Sequence, residues 1–314
     1  MEFNTILLYG AFTLFILAML AIDLGVFNRK AHVVKLREAV IWSIVWVMLA
    51  LLFNAGVWWY EGSTKALEFL TGYLIERALS FDNIFVFVII FSYFAVPQRL
   101  HHRALFWGVL GALITRAIFI AAGAALISRF EWILYLFGAI LVVSGWKMFR
   151  QKDVEVHPDR NIFIRLARKL FPVTSGYEPA GFFSRIDGQL AITPLFLVLL
   201  TIETTDIVFA VDSIPAVFGV TQDPFIVYTS NIFAILGLRA TYFLLAGIMD
   251  TFHYLSHGLS AILIFIGLKM LLADIIHVPI VLSLLVVAAV LAVSVIASLL
   301  HRRGHSDGPD DRTP

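Results

Sequence analysis

Long apolar runs separated by short charged connections dominate the chain. Nine of them approach or exceed the length one helix needs to cross a bilayer, about 20 residues. They fall at about 4–27, 39–60, 66–94, 104–128, 131–149, 191–218, 225–249, 255–273 and 278–300. Each run is continuously apolar rather than alternating, which predicts helices and not barrel strands. Aromatic residues gather at run ends, as in Trp58-Trp59-Tyr60, Trp132 and Tyr135, where an interfacial belt belongs. The pattern predicts an all-α, polytopic transmembrane helix bundle of about nine spans.

Composition agrees with lipid as the solvent. Of 314 residues, 60% are hydrophobic and only 14% charged, with a mean hydropathy of +0.90. A soluble domain carries about a quarter charged residues. A net charge of +1 with no basic domain argues against nucleic acid as a partner. The absence of cysteine removes disulfides, thiolate metal sites and thiol catalysis together. Glu2 opens the first run without a basic region, and Asp23 follows it in place of a cleavage site. That run therefore reads as a retained span rather than a signal peptide.

Charge in the connections sets an expected orientation. With 150–190 placed in the cytoplasm, sixteen Lys and Arg fall on that side. Only Lys65 and Arg129 fall on the other. The expectation is an odd number of spans, the N-terminus outside and the C-terminus cytoplasmic. The 150–190 segment is the one long polar connection and is expected to be a linker. Its stretch Ile162–Phe171 could form a short amphipathic helix on the membrane surface. The polar tail 304–314 is expected to be disordered.

The chain also repeats itself. Glu76-Arg-Ala-Leu-Ser-Phe-Asp82-Asn83 matches Asp206-Ile-Val-Phe-Ala-Val-Asp212-Ser213, with both acids displaced by 130 residues. Arg116 and Arg239 follow in the next span, 123 apart. Gly145-Trp-Lys147-Met148 and Gly267-Leu-Lys269-Met270 end the third, 122 apart. A unit of three spans leaves the chain on the opposite side of the membrane, so its copy is inserted upside down. The expected organisation is 1–64 as two bracing spans, 65–149 as the first three-helix repeat and 150–190 as linker. The second, inverted repeat follows at 191–273, a final span at 274–303, and then the tail. Inverted repeats are a transporter architecture with the substrate site near the midplane.

Five carboxylates lie well inside predicted spans: Glu76, Asp82, Glu203, Asp206 and Asp212. Each costs at least ~2.5–3.5 kcal/mol at the bilayer centre, so such groups face protein or water. Glu203 and Asp206 share a helix face. Glu76 and Asp82 are about 120° apart on a straight helix and cannot easily chelate one ion unless it opens. Pro215 is expected to loosen the turn beside Asp212 and free backbone carbonyls there. Asn83 and Ser213 add neutral oxygens. Such an all-oxygen set, with no cysteine or mid-span histidine, suits a hard divalent cation such as Mn²⁺, Mg²⁺ or Ca²⁺. Arg116 and Arg239 are expected to supply supporting charge. Two other uses of the same acids stay open: helix-locking ion pairs with Arg77, Arg116 and Arg239, and a proton relay without metal. No nucleophile with a base, phosphate loop or organic cofactor motif is present, so an enzyme is not expected. Met and Phe are spread through the spans and read as packing residues. The oligomeric state is not set by the sequence.

The paired motifs, with Phe69-Leu-Thr-Gly-Tyr-Leu-Ile-Glu76 and Ser230-Asn-Ile-Phe-Ala-Ile-Leu-Gly-Leu-Arg239, resemble the TerC family, and most closely its Alx branch. The resemblance runs from about residue 20 to 300. It implies a bacterial inner-membrane protein of metal homeostasis within the LysE-like exporters, associated with manganese export. Older associations of the family are tellurite resistance and redox modulation under alkaline stress. Carried onto this sequence, the metal-site candidates are Glu76, Asp82, Asn83, Glu203, Asp206, Asp212 and Ser213. The ion carried would be Mn²⁺ rather than Mg²⁺ or Ca²⁺, and protons are a plausible counter-ion.

Overall fold

A computed structural model describes residues 2–22, 36–150, 161–177, 181–186, 188–245 and 254–306, with side chains from Leu8 to His301. Asp23, His253 and the basic residues at 28–35 and 151–160 lie outside the described residues, as does the tail beyond Ser306.

Each predicted apolar run is helical over most of its described length. The elements are α1 (Glu2–Ile22), α2 (Leu36–Glu61), α3 (Ser63–Tyr93), α4 (Gln98–Arg129) and α5 (Ile133–Arg150). After α6 (Ile162–Leu170) and the strands β1 (Phe183–Ile186) and β2 (Gln189–Ile192) come α7 (Pro194–Phe218), α8 (Pro224–Leu236), α9 (Leu238–Leu245), α10 (Leu255–Leu271) and α11 (Ile280–Ser306). By length and composition α2, α4, α5, α7 and α11 are able to cross a membrane. Two helix starts follow directly from local chemistry. Thr193 caps α7 and Asp223 caps α8, each accepting backbone N–H bonds, and each is followed by Pro at the first helical position.

Packing follows two rules of small and aromatic residues. Aromatic side chains join the N-terminal helices to the rest: Phe12 of α1 and Phe53 of α2 stack around Phe69 of α3 and Phe233 of α8, with Phe53 and Phe233 centroids 5.1 Å apart. Glycines bring α5 and α10 together. A Cβ on Gly138 would lie 2.9 Å from the Gly267 carbonyl oxygen, and one on Gly145 2.8 Å from that of Ser260. Such backbone approach is how helices associate where lipid removes the hydrophobic drive. Around this pair α3 packs on α8, α4 on α7, and α3 on α7.

Two expectations about helix continuity are corrected. Helix α7 runs unbroken through Pro215. Pro215 sits in the final turn, where the N–H it lacks costs one bond and the helix is capped at Gly219 soon after. The break comes instead at Gly237, between α8 and α9. There the Arg77 guanidinium donates to the Ala234 carbonyl at 3.1 Å and to Thr241 at 2.5 Å. A Cβ on Gly237 would overlap that guanidinium as it now lies, so a larger residue there would push Arg77 aside.

The linker is more built than a plain connection. Helix α6 forms within Ile162–Phe171, capped by Asn161, whose amide also donates to Thr204 of α7 at 2.7 Å. Ile164 and Ala167 are buried, Ile164 in a cluster with Leu197 of α7, while Ile162, Phe163, Leu166 and Leu170 are exposed. The hairpin β1–β2 is the exception to an all-helical reading among the described residues. It closes at Ile186↔Gln189, with Gly188 at φ 82°, a left-handed conformation that glycine adopts at no steric cost. Tyr177 donates to the Phe94 carbonyl at 2.6 Å and ties the linker to the α3–α4 turn. Burial pushes this phenol up to about 12, so it remains a donor across the physiological range.

Candidate functional site

The site forms where α3, α4, α7 and α8 meet. Glu76, Arg116, Asp206, Ser213 and Asn231 are all buried, Arg116 to 1% exposure and Glu76 to 0%. An unpaired charge there would be prohibitively expensive, and the side chains answer by pairing. Arg116 holds Asp206 with two donors, Nη2 to Oδ1 at 3.2 Å and Nε to Oδ2 at 3.4 Å. Its Nη1 donates to Glu76, to Ser213 Oγ at 2.9 Å and to Asn231 Oδ1 at 3.2 Å. Asn231 in turn donates to Glu76 Oε2 at 3.0 Å. One guanidinium therefore serves two carboxylates from two different helices.

Beside this cluster lies a small cavity of about 20 Å³. That is room for roughly one water-sized body. Asp82 and Asn83 of α3 and Asp212 and Ser213 of α7 line it together with Glu76 and Arg116. Asp212 accepts a hydrogen bond from Ser144 of α5 at 2.6 Å. The helices thus bring Asp82 and Asp212 to one cavity without opening, because the two motifs lie on facing helices. The salt bridges of Arg116, to Glu76 and Asp206, leave Asp82, Asp212 and Glu203 outside them.

Two expected members stand apart. The Glu203 carboxylate lies against Gly111 of α4, in space that a Cβ there would fill. Arg239 lines a separate small pocket with Glu38, Trp42 and His102. It lies on α9, past the break at Gly237, so it does not share the position of Arg116. Asn231 was not singled out from the sequence. Its one signal was an amide inside an otherwise apolar run, which says that a partner exists but not which one. Among the described residues no three acidic or histidine side chains converge closely enough to hold a metal ion. Arg116 occupies the space between Glu76 and Asp206 in their place.

The Gly111 contact makes a prediction. Gly111→Ala should cost about 1–3 kcal/mol by overpacking. Glu203→Ala should recover most of that in the double variant, because the overlap is with its carboxylate. Chemical unfolding of the four proteins in detergent measures the coupling. Additive losses would show that Glu203 is free to move aside.

The sequence profile described as "Integral membrane protein TerC family" matches residues 61–306. An uncharacterized membrane protein of Myxococcus xanthus is 52% identical over 307 residues, 98% of this chain and 96% of that protein. Proteins of Salmonella typhi and Escherichia coli K12, whose name gives the provisional role of membrane-bound redox modulator Alx, are each 50% identical over 302 residues, 93% of this chain and 94% of theirs. No solved structure matches.

Proposed function

The chain belongs to the TerC family of integral multi-pass membrane proteins, and on that premise we propose that it exports Mn²⁺ through the buried carboxylate site. The observation that carries this reading is an excess of acid over base at one place. Glu76 and Asp206 pair with Arg116, and Asp82 and Asp212 line the cavity beside that guanidinium, so four carboxylates share one buried cation, with the exposed Lys147 acting on Asp212 from the helix end. In a low-dielectric interior such an excess asks for another cation or for protons. A dication is the economical answer, and carboxylates with Asn83 and Ser213 are hard-ion ligands.

In this mechanism Arg116 is the resident cation of the empty site. Loading requires it to withdraw from Glu76 and Asp206, or requires the acids to release protons as the metal enters. Either exchange keeps the buried charge nearly constant, and the second is proton antiport. We read the apolar runs as nine crossings, and the packing supports the inverted repeat among them. Displacing Gly145 and Gly138 by the repeat offset of 122 gives Gly267 and Ser260, so the contact of Gly145 with Ser260 becomes that of Gly267 with Gly138. The partner choice α3–α8 and α4–α7 is likewise what one in-plane pseudo-twofold axis would produce. Alternating rotation of the two units would expose the site to either side. The charge bias of the connections supports the N-terminus outside and the C-terminus in the cytoplasm of an inner membrane.

The relatives' name points to redox. With no cysteine in the sequence, thiol exchange by this chain is not available. A redox effect would then follow from the metal it moves.

Binding of Mn²⁺ to the purified protein, against Mg²⁺, Ca²⁺ and Zn²⁺, tests the reading. Selective Mn²⁺ binding is expected, with loss on the order of 10–100-fold or more in Glu76→Gln/Asp206→Asn. A folded wild-type protein that binds none of these ions would turn the site into a proton relay or a helix lock.

A further inference from the structure

The cavity between Asp82 and Asp212 has one wall that the acidic motifs do not supply. Helix α5 places Met148 there, beside Asp82, Asn83, Asp212 and Ser213. Met148 lies four residues after Ser144, the residue that hydrogen-bonds Asp212. Positions i and i+4 share a helix face. Met148 therefore lies on the face of α5 that Ser144 turns towards Asp212, and it lines the cavity that Asp212 lines. We propose that Met148 is the specificity-determining residue of the cation site, its sulfur favouring a transition-metal dication over Mg²⁺ and Ca²⁺. This inference rests on the cation reading of the site.

Three properties of the cavity support it. First, its other donors are oxygens: carboxylates, an amide and a hydroxyl. Such ligands suit Mg²⁺, Ca²⁺ and Mn²⁺ alike, so they give little basis for choosing Mn²⁺. Thioether sulfur is soft and polarisable, and it is the only soft donor in the wall. Second, the volume of about 20 Å³ leaves space for roughly one water-sized body. An ion must arrive nearly bare. Mg²⁺ gives up water reluctantly, and Ca²⁺ wants six to eight oxygens. A position filled by sulfur is a lost ligand for either, but a usable one for Mn²⁺. Third, Leu79, Phe209 and Leu263 complete the lining. Apolar walls keep out the water that would otherwise displace so weak a donor.

The plain alternative is that Met148 only packs, since it lies against the apolar cluster around Leu141 and Leu263. Met148→Leu separates the two, because it nearly conserves volume while removing the sulfur. Mn²⁺, Cd²⁺, Mg²⁺ and Ca²⁺ would be titrated separately into full-length wild type, Met148→Leu and Asp82→Asn. In Met148→Leu, Mn²⁺ affinity is expected to fall on the order of tenfold. Cd²⁺, the more thiophilic probe, should fall further, and Mg²⁺ and Ca²⁺ should stay level or tighten. An unchanged Mn²⁺ to Ca²⁺ ratio in Met148→Leu, with both ions lost in Asp82→Asn, would overturn the role of Met148 and leave the cation site standing. No binding of any ion to wild type would overturn both. A second measurement does not depend on the variant's folding: the X-ray absorption spectrum of Cd²⁺ bound to wild type should contain a sulfur scatterer. A shell of oxygen alone would reject the proposal.

Discussion

Arg116→Gln is expected to lower the stability of the metal-free protein by about 3–5 kcal/mol, the usual result of stripping one partner from a buried ion pair. Both Glu76 and Asp206 would be left without their cation while remaining buried. The amide of glutamine can replace one hydrogen bond but not the bidentate hold on Asp206. The second half of the result is the informative one. If Arg116 stands in for a transported ion, removing it clears the seat, and Mn²⁺ should stabilise Arg116→Gln more than it stabilises wild type. At a hundredfold excess over the dissociation constant the recovery would be about 2.7 kcal/mol. Wild type must first release its own guanidinium, so its shift should be smaller. Thermal unfolding in detergent, in chelator and then in Mn²⁺, gives both numbers. Equal shifts in the two proteins would mean that Arg116 and the metal do not compete for these acids.

Much of this arrangement is visible in the sequence, and what is missing has a common cause. Continuous apolar runs give the helices, because lipid leaves the backbone no other way to satisfy its own polar groups. The duplicated acid spacing singles out Glu76, Asp82, Asp206 and Asp212. Periodicity along one helix says nothing about the height and rotation of its neighbour, and the shortfalls lie there. Asn231 bridges Glu76 and Arg116 only because α8 packs on α3 at that level. Arg239 looks equivalent to Arg116 by spacing, yet the break at Gly237 carries it elsewhere. Pro215 was the more conspicuous helix breaker, but its cost falls in a final turn, whereas Gly237 opens the chain where Arg77 can fill the gap. Met148 is invisible as a donor until α5 is placed against α7.

In Asp82→Asn/Asp212→Asn, Mn²⁺ efflux is expected to fall by at least 100-fold while the unfolding temperature holds or rises. These two carboxylates lie outside the Arg116 ion pairs, so their removal strands no buried cation. Replacing each with an amide removes a burial cost of ~2.5–3.5 kcal/mol on insertion scales. It also keeps the shape and an acceptor for the Ser144 hydroxyl. Glu76→Gln and Asp206→Asn are less decisive, because they leave Arg116 short of counter-charge and confuse lost function with lost stability. The pair facing the cavity separates the two. Metal affinity should suffer the product of two ligand losses, each on the order of tenfold or more, in a protein no less stable than before. If instead the unfolding temperature drops and efflux in reconstituted vesicles is unchanged, Asp82 and Asp212 lock helices and the ion, if any, passes elsewhere.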